Sequence, residues 1–126
     1  LSASSAASDV YKRQIKNYNN KEVIMAVSLQ VLYSTENQTT FDHEYYAQKH
    51  MPIVGEHMGP HMDSVLVIKG LAGGNDTPAG FHAIATMTFK DQAALDSALA
   101  AAGPALADIP NFYNGQPQML VGQVQG

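Results

Sequence analysis

Residues able to transfer protons gather in one short stretch of the chain, at His43, Tyr45, Tyr46 and His50. Residues three, four and seven apart share one face of an α-helix, so a helix here would present one stripe: His43, Tyr46, Ala47 and His50. Tyr46 and His50 would then hydrogen-bond to each other or hold one ligand between them. A histidine near a helix end titrates close to neutral pH and acts as a general acid or base when it faces a pocket. The alternative is that His50 caps the last carbonyl groups of the helix and faces solvent.

The five histidines also raise the question of a metal site. His57 and His61 are four residues apart, but Gly59-Pro60 between them breaks the helix that would aim both rings at one ion. His43 and His50 are one heptad apart, roughly 10 Å along a helix, and do not chelate one ion by themselves. We therefore expect no metal site.

A second group of candidate residues lies in the turn-rich segment 107–117. The segment combines one acid with amides and aromatic rings: Asp108, Asn111, Phe112, Tyr113 and Asn114. Long loops of this composition often line sites. The alternative is a wrap at the end of a helix, in which Ile109 and Phe112 fill the core and Asp108 accepts hydrogen bonds from backbone donors.

The composition excludes several classes of protein. The 126 residues are 45% hydrophobic and 14% charged, which is typical of one globular domain. No cysteine is present, which excludes a disulfide framework, a thiolate zinc site, an iron–sulfur cluster and a cysteine nucleophile. The net charge of −4 argues against nucleic-acid binding, and no apolar run approaches the roughly 20 residues of a membrane span. The chain has no glycine-rich dinucleotide signature and no nucleophile elbow.

Residues 1–24 are predicted not to belong to the fold. They begin with a low-complexity run and carry no core pattern, and residues 4–14 resemble a translated sequencing-adapter scar. A signal peptide is not supported, because no apolar stretch follows Lys12-Arg13. Lys21-Glu22-Val23 can be encoded by codons whose sequence reads as a ribosome-binding site, a few bases before the codon of Met25. We therefore expect a non-native, disordered tail over 1–24 and one domain over 25–126, in a bacterial, cytoplasmic protein.

Hydrophobic periodicity within 25–126 alternates between strand and helix. Period-2 alternation predicts strands over 26–33 and 81–89, and two further apolar runs predict strands over 64–68 and about 118–124. Asp42 is a predicted N-cap of a first helix that runs to about His50 and restarts at Pro52, with Phe41 and Tyr46 as a hydrophobic staple. Asp91 is predicted to cap a second helix, which Gly103-Pro104 interrupts. The order βαββαβ predicts a ferredoxin-like α+β fold, a four-stranded antiparallel sheet with two helices on one face.

The sheet face opposite the helices lacks the charge of a solvated surface. In the strand 81–89, alternate residues from Phe81 would pack under the helices, whereas His82, Ile84, Thr86 and Thr88 would point the other way. The run 65–68 offers only apolar residues to this face. We therefore predict a homodimer in which two sheets pack face to face.

Several motifs together carry a family resemblance: FDHEYY (41–46), KHMP (49–52), LAGG (71–74), the strand 81–89 and ADIPN (107–111). They resemble the EthD family, named for ethyl tert-butyl ether degradation. The resemblance covers the chain from Met25 onward and implies the fold and sheet-to-sheet dimer of the dimeric α+β barrel superfamily. The His-x-Pro histidine of the family falls on His50, and its acidic loop motif falls on Asp108 with Pro110 and Asn111. Tyr113 departs from the family, which more often has Thr there.

The resemblance also implies a function class. Family members accompany the oxidative degradation of ethers and related xenobiotic compounds, and superfamily relatives include cofactor-free monooxygenases, lactone isomerases and cyclases. We expect a cofactor-independent oxidoreductase or isomerase that binds a small apolar or aromatic molecule in a cleft between helices and sheet. The predicted catalytic residues are His50, Tyr46 and Asp108, with His50 transferring protons, and the predicted substrate-binding residues are His43, Asn111 and Phe112. Two alternatives stay open: a non-catalytic accessory protein of a partner oxygenase, and a haem-binding protein with a histidine as axial ligand.

Overall fold

The computed structural model describes residues 25–126, so the predicted non-native tail over 1–24 lies outside the described residues. Four strands follow in chain order: β1 Val27–Ser34, β2 Ser64–Lys69, β3 Phe81–Phe89 and β4 Gln118–Gln123. Helix α1 consists of three consecutive segments, α-helical His43–Tyr45, π-helical Tyr46–His50 and α-helical Met51–His57. Helices α2 and α3 are Gln92–Ala100 and Gly103–Asp108, and short 3-10 turns lie at Glu36–Gln38, Gly59–His61 and Ile109–Asn111.

The four strands form one antiparallel sheet in the order β2-β3-β1-β4. Leu29 of β1 lies opposite Met87 of β3 on one side and Val121 of β4 on the other, so these residues share the face that the helices cover. Together with the element order βαββαβ, this topology confirms the predicted ferredoxin-like α+β fold. The alternation predicted for β3 is confirmed from Ala83 onward, since the odd-numbered residues from there are buried and the even-numbered residues are only half-buried, whereas Phe81 at the start of the strand is also half-buried.

The N-termini of α1 and α2 are fixed by the predicted caps. The Asp42 carboxylate accepts a hydrogen bond from the Tyr45 backbone N–H at the start of α1. The Asp91 carboxylate accepts one from the Ala94 backbone N–H at the start of α2. The rings of Phe41 and Tyr46 lie 5.0 Å apart between centroids, which confirms the predicted staple. These caps set where α1 and α2 begin over the sheet.

The restart at Pro52 takes the form of a π-helical turn. The Met51 N–H donates to the Tyr46 carbonyl five residues back, rather than to a carbonyl four residues back. Pro52 then occupies the first turn of the next α-helical segment, where its missing N–H needs no partner. The change of hydrogen-bond pattern therefore lies in the stretch that carries Tyr46 and His50.

One face of the sheet is covered by the helices, and apolar residues extend across the other. Leu66, Ile68 and Leu120 are exposed there, and Ile84 of the central strand β3 is half-buried. The homodimer predicted from this face stays a prediction. Within residues 25–126, every helix is too short or too polar to cross a lipid bilayer.

Candidate functional site

A histidine and an aspartate form a buried pair between α1 and α3. His50 Nδ1 lies 3.0 Å from Asp108 Oδ2, and both side chains are less than a tenth exposed. His50 comes from the π-helical turn of α1, and Asp108 is the last residue of α3. The alternative of a solvent-facing His50 is therefore wrong, because the imidazole is turned into the protein and paired.

The other oxygen of Asp108 accepts two further hydrogen bonds. The Tyr45 hydroxyl donates to Oδ1 over 2.7 Å, and the Asn111 side-chain amide donates to the same atom over 2.9 Å. The partners of Asp108 are thus side chains, whereas the alternative reading of the loop had predicted backbone donors. Ile109 and Phe112 do fill the core, as that reading expected. Both carboxylate oxygens are in use, so the carboxylate cannot rotate without breaking a hydrogen bond.

Tyr45 belongs to the cluster that opens the sequence analysis, but it is not among the catalytic or substrate-binding residues predicted there. In a regular α-helix, residues five apart point to different sides, so Tyr45 and His50 would diverge. The π-helical turn holds more residues per turn, and both side chains instead reach Asp108. Pro52, just after the turn, was the available signal, because a proline near the middle of a helix is often accompanied by a change in hydrogen-bond pattern.

The hydrogen bond to Asp108 fixes the tautomer of His50. A carboxylate only accepts, so Nδ1 carries the proton and Nε2 carries a lone pair. Within residues 25–126, Nε2 makes no hydrogen bond, and because every fully buried side-chain nitrogen or oxygen there has a partner, Nε2 keeps some accessible surface. The nitrogen that is able to accept a proton is thus the one left available.

Burial and hydrogen bonding set the charge of the pair. Burial lowers the pKa of His50, and the neighbouring Asp108 only partly offsets this. Burial by itself would raise the pKa of Asp108, but the hydrogen bonds from Tyr45, Asn111 and His50 outweigh it and hold that pKa below its ordinary value. At neutral pH the pair is therefore a neutral imidazole beside a carboxylate.

His50 lines an apolar cavity between the helices and the sheet. The cavity measures about 60 Å³ and is walled by residues of all four strands and all three helices. Within the described residues, its polar lining comes from His50, Tyr33 and Tyr46, with no charged side chain. A water molecule needs about 10–15 Å³ of such volume, so the cavity has room for a few water molecules or for a compact organic group.

Two rings hold the imidazole in place. Tyr46 stacks on His50 with centroids 5.1 Å apart and planes inclined by 25°, and Phe112 packs against it at 4.4 Å. Phe112 is buried and lies outside the cavity lining, so it supports the imidazole from behind. Burial raises the pKa of Tyr46 to about 12, so its hydroxyl stays protonated.

The structure brings most of the predicted site residues together. His50, Tyr46, Asp108, Asn111 and Phe112 form one contiguous group. His43 does not line the cavity and instead packs on Phe41, with ring centroids 4.6 Å apart. Ala47, predicted on the same stripe, is exposed, because the π-helical turn changes which residues share a face. No group of three or more His, Asp or Glu side chains in 25–126 is arranged to hold a metal ion.

The fold is shared with solved structures. An EthD-like protein from Ralstonia eutropha is 27% identical, with a TM-score of 0.74 over 82% of this chain and 96% of its own. An ethyl tert-butyl ether degradation (EthD) family protein from Bacillus halodurans is 20% identical, with a TM-score of 0.65 over 80% of this chain and 100% of its own. SnoaB, a cofactor-independent oxygenase from Streptomyces nogalater, is 10% identical, with a TM-score of 0.54 over 80% of this chain and 94% of its own.

The sequence itself matches one family profile. The profile of the EthD domain aligns with residues 37–116, which include α1, the sheet strands β2 and β3, and the loop after α3. No curated protein has a significantly similar sequence. The match spans more than half of the chain and contains both members of the His50–Asp108 pair, and the protein belongs to the EthD family.

Proposed function

We propose that the protein is an enzyme that uses His50 Nε2 as a general base toward a small apolar or aromatic molecule. The observation that carries this proposal is the arrangement of the imidazole. Nδ1 is held by Asp108, Nε2 has no partner within 25–126, and the ring lines an apolar cavity. A neutral, oriented imidazole beside a carboxylate is the arrangement that general-base catalysis requires.

In the proposed step, Nε2 takes a proton from an acidic C–H or O–H bond of the substrate. The electron pair of that bond stays on the substrate as a carbanion or an oxyanion, and the imidazolium is stabilised by Asp108. Return of the proton to a different carbon completes an isomerisation. In an oxygenation, dioxygen as co-substrate would oxidise the carbanion and form a C–O bond, the resulting peroxide anion would take the proton back from the imidazolium, and loss of water with cleavage of the O–O bond would leave a carbonyl group at that carbon. Both routes use only this chain's residues and the reactants.

Support for a cofactor-independent reaction comes from the cavity and from the family. The cavity of about 60 Å³ matches a compact organic group. Among the proteins that share the fold, SnoaB is a cofactor-independent oxygenase. A haem macrocycle fits poorly, because the apolar residues around His50 would have to move apart, and we derive no step through it. Family membership supports a role in the catabolism of small apolar compounds such as ethers in a bacterial cytoplasm.

We also propose that the protein is a homodimer through the open sheet face. The exposed side chains of Leu66, Ile68 and Leu120 would be covered by the same residues of a second copy. The arrangement leaves the His50 cavity untouched, because the cavity lies on the helix side of the sheet.

Hydrogen–deuterium exchange tests the proposed base without knowledge of the full reaction. Small ketones, lactones and hydroxyquinones would be incubated with the protein in D₂O, and label in the recovered compounds would be measured by mass spectrometry. We expect catalysed exchange at an acidic C–H for at least one class, and its loss in His50→Gln. Binding without exchange, unchanged in His50→Gln, would instead indicate a non-catalytic accessory protein that serves a partner oxygenase.

A further inference from the structure

The cavity beside His50 continues to the molecular surface along apolar side chains. Four residues line the cavity and are also 41–48% exposed; we call them the rim residues: Val65, Leu99, Leu106 and Met119. They come from β2, α2, α3 and β4, so the openings lie between elements rather than within one loop. Exposed apolar side chains that continue a buried apolar cavity commonly mark a binding surface.

The size of the enclosed space limits what reaches the imidazole. About 60 Å³ accommodates a compact group but not a large molecule. Any further part of a ligand must therefore lie against the rim residues. All four rim side chains are apolar and unable to hydrogen-bond, so this outer part is bound best if it is hydrocarbon.

We propose that the substrate is elongated, with a compact end carrying the acidic C–H or O–H beside His50 and a hydrocarbon chain that leaves the cavity past the rim residues at one edge of the sheet, where either Val65 of β2 or Met119 of β4 lies. The inference rests on the proposed function, because His50 receives the compact end. It narrows the substrate from small apolar molecules in general to those with a chain. A short chain passes a single rim residue, whereas a longer one gains contact with more apolar surface.

The 4-alkylphenols provide a suitable probe series, since each has one acidic O–H and a linear chain of chosen length. Binding of 4-methyl-, 4-propyl-, 4-pentyl- and 4-heptylphenol to the full chain would be measured by isothermal titration calorimetry. We expect Kd to fall by about twofold to fourfold per methylene while the chain lies over the rim. The rim variants are Val65→Ser, Leu106→Ser and Met119→Ser. Leu71→Ser is the matched control, because Leu71 is an exposed apolar residue outside the cavity lining.

The series separates the inference from the proposed function. The inference predicts that at least one rim variant loses most of the dependence on chain length, whereas Leu71→Ser keeps it. Equal dependence in the control and in all rim variants would overturn the inference, since the chains would then bind elsewhere. Binding that needs His50 but is independent of chain length would also overturn it and leave the proposed base intact. A change of oligomeric mass in a rim variant, measured by light scattering, would show that a second copy covers the rim and would likewise overturn the inference.

Discussion

The Tyr45 hydroxyl lies 2.7 Å from Asp108 Oδ1, on the carboxylate oxygen opposite the one that binds His50. The contact joins a partly exposed residue of α1 to the buried pair at the far end of α3. Asn111 donates to the same oxygen. Tyr45 is thus a positioning residue, which acts on the imidazole through the carboxylate.

Replacing Tyr45 with phenylalanine should loosen Asp108 without removing a ring. One of three donors is lost, so the pKa of Asp108 should rise toward its ordinary value, and the more basic carboxylate should also raise the pKa of His50. Nitrogen chemical shifts of the His50 imidazole across a pH titration would report both changes. Tyr113→Phe is the matched control, since that hydroxyl donates to the Ser34 carbonyl rather than to Asp108. Identical His50 titrations in the two variants would contradict the positioning role.

Removing the charge of Asp108 should impair proton transfer more than binding. In Asp108→Asn the imidazolium loses its carboxylate, so the pKa of His50 should fall further. The exchange of the substrate's acidic proton for solvent deuterium should slow by about 10²-fold or more. The exchange rate in D₂O measures this, with Kd of the same compound as the comparison. Asp63→Asn serves as control because Asp63 is exposed and outside the site. An undiminished rate would show that Asp108 does not support the base.

Acid should reduce the stability of the fold through the same pair. In the folded protein, the pKa of His50 lies below its ordinary value of 6.5 and that of Asp108 below its ordinary value of 3.8. The unfolded chain has the ordinary values, so as the pH falls it takes up these two protons before the folded protein does. The free energy of unfolding should therefore decrease below about pH 6.5 and again below about pH 3.8. Urea unfolding across this range would measure it. In His50→Gln the first decrease should be smaller than in the wild type, and an equal decrease would assign it to other groups.

The same pKa of His50 governs the expected rate. Proton abstraction needs the neutral ring, so the exchange rate should rise with pH and level off at a pH below 6.5.

Phe112 should matter for stability as well as for the site. Its ring is buried against His50, Tyr46 and Tyr33, so Phe112→Ala should lower the free energy of unfolding by about 3–5 kcal/mol. Leu71→Ala, at an exposed position, should change it by less than about 0.5 kcal/mol. Urea denaturation of both variants gives the comparison. A small effect of Phe112→Ala would mean that the loop after α3 does not hold the core together.

A charge placed on the open sheet face should separate the proposed dimer. Ile84 lies on the central strand β3 and is half-buried in a single chain, so Ile84→Lys would place its ammonium group between two packed sheets. Light scattering coupled to size exclusion should show a dimer for the wild type and a monomer for this variant. Leu71→Lys, in the loop between β2 and β3, should stay dimeric. A monomeric wild type would contradict the proposed homodimer.

The strands were readable from the sequence because alternation is a local signal. Residues 81–89 were predicted as a strand with the observed bounds, and the caps Asp42 and Asp91 were identified from their positions before apolar runs. These features depend on neighbours a few residues apart. Their prediction therefore required no knowledge of how distant segments pack.

The site was only partly readable, because it depends on two segments far apart in the chain. The family motifs selected His50 and Asp108, but their contact follows from the packing of α3 beside α1. The role of Tyr45 and the position of His43 depend on the π-helical turn, which the regular helical spacing did not predict. The cavity depends on side chains from every strand and helix, so its volume had no local signal.

The π-helical turn makes the length of this helix a functional quantity. If one residue were deleted between Tyr45 and His50, the chain would still be able to form a continuous helix, now with regular hydrogen bonds. Tyr45 and His50 would then be four residues apart, a spacing that shares one face of a regular α-helix, so both would still point toward Asp108. With the present length, regular α-helical hydrogen bonds would instead turn the two side chains to different sides. The extra residue and the π-helical turn would thus have to be gained or lost together, although length variation is usually harmless when it falls in loops.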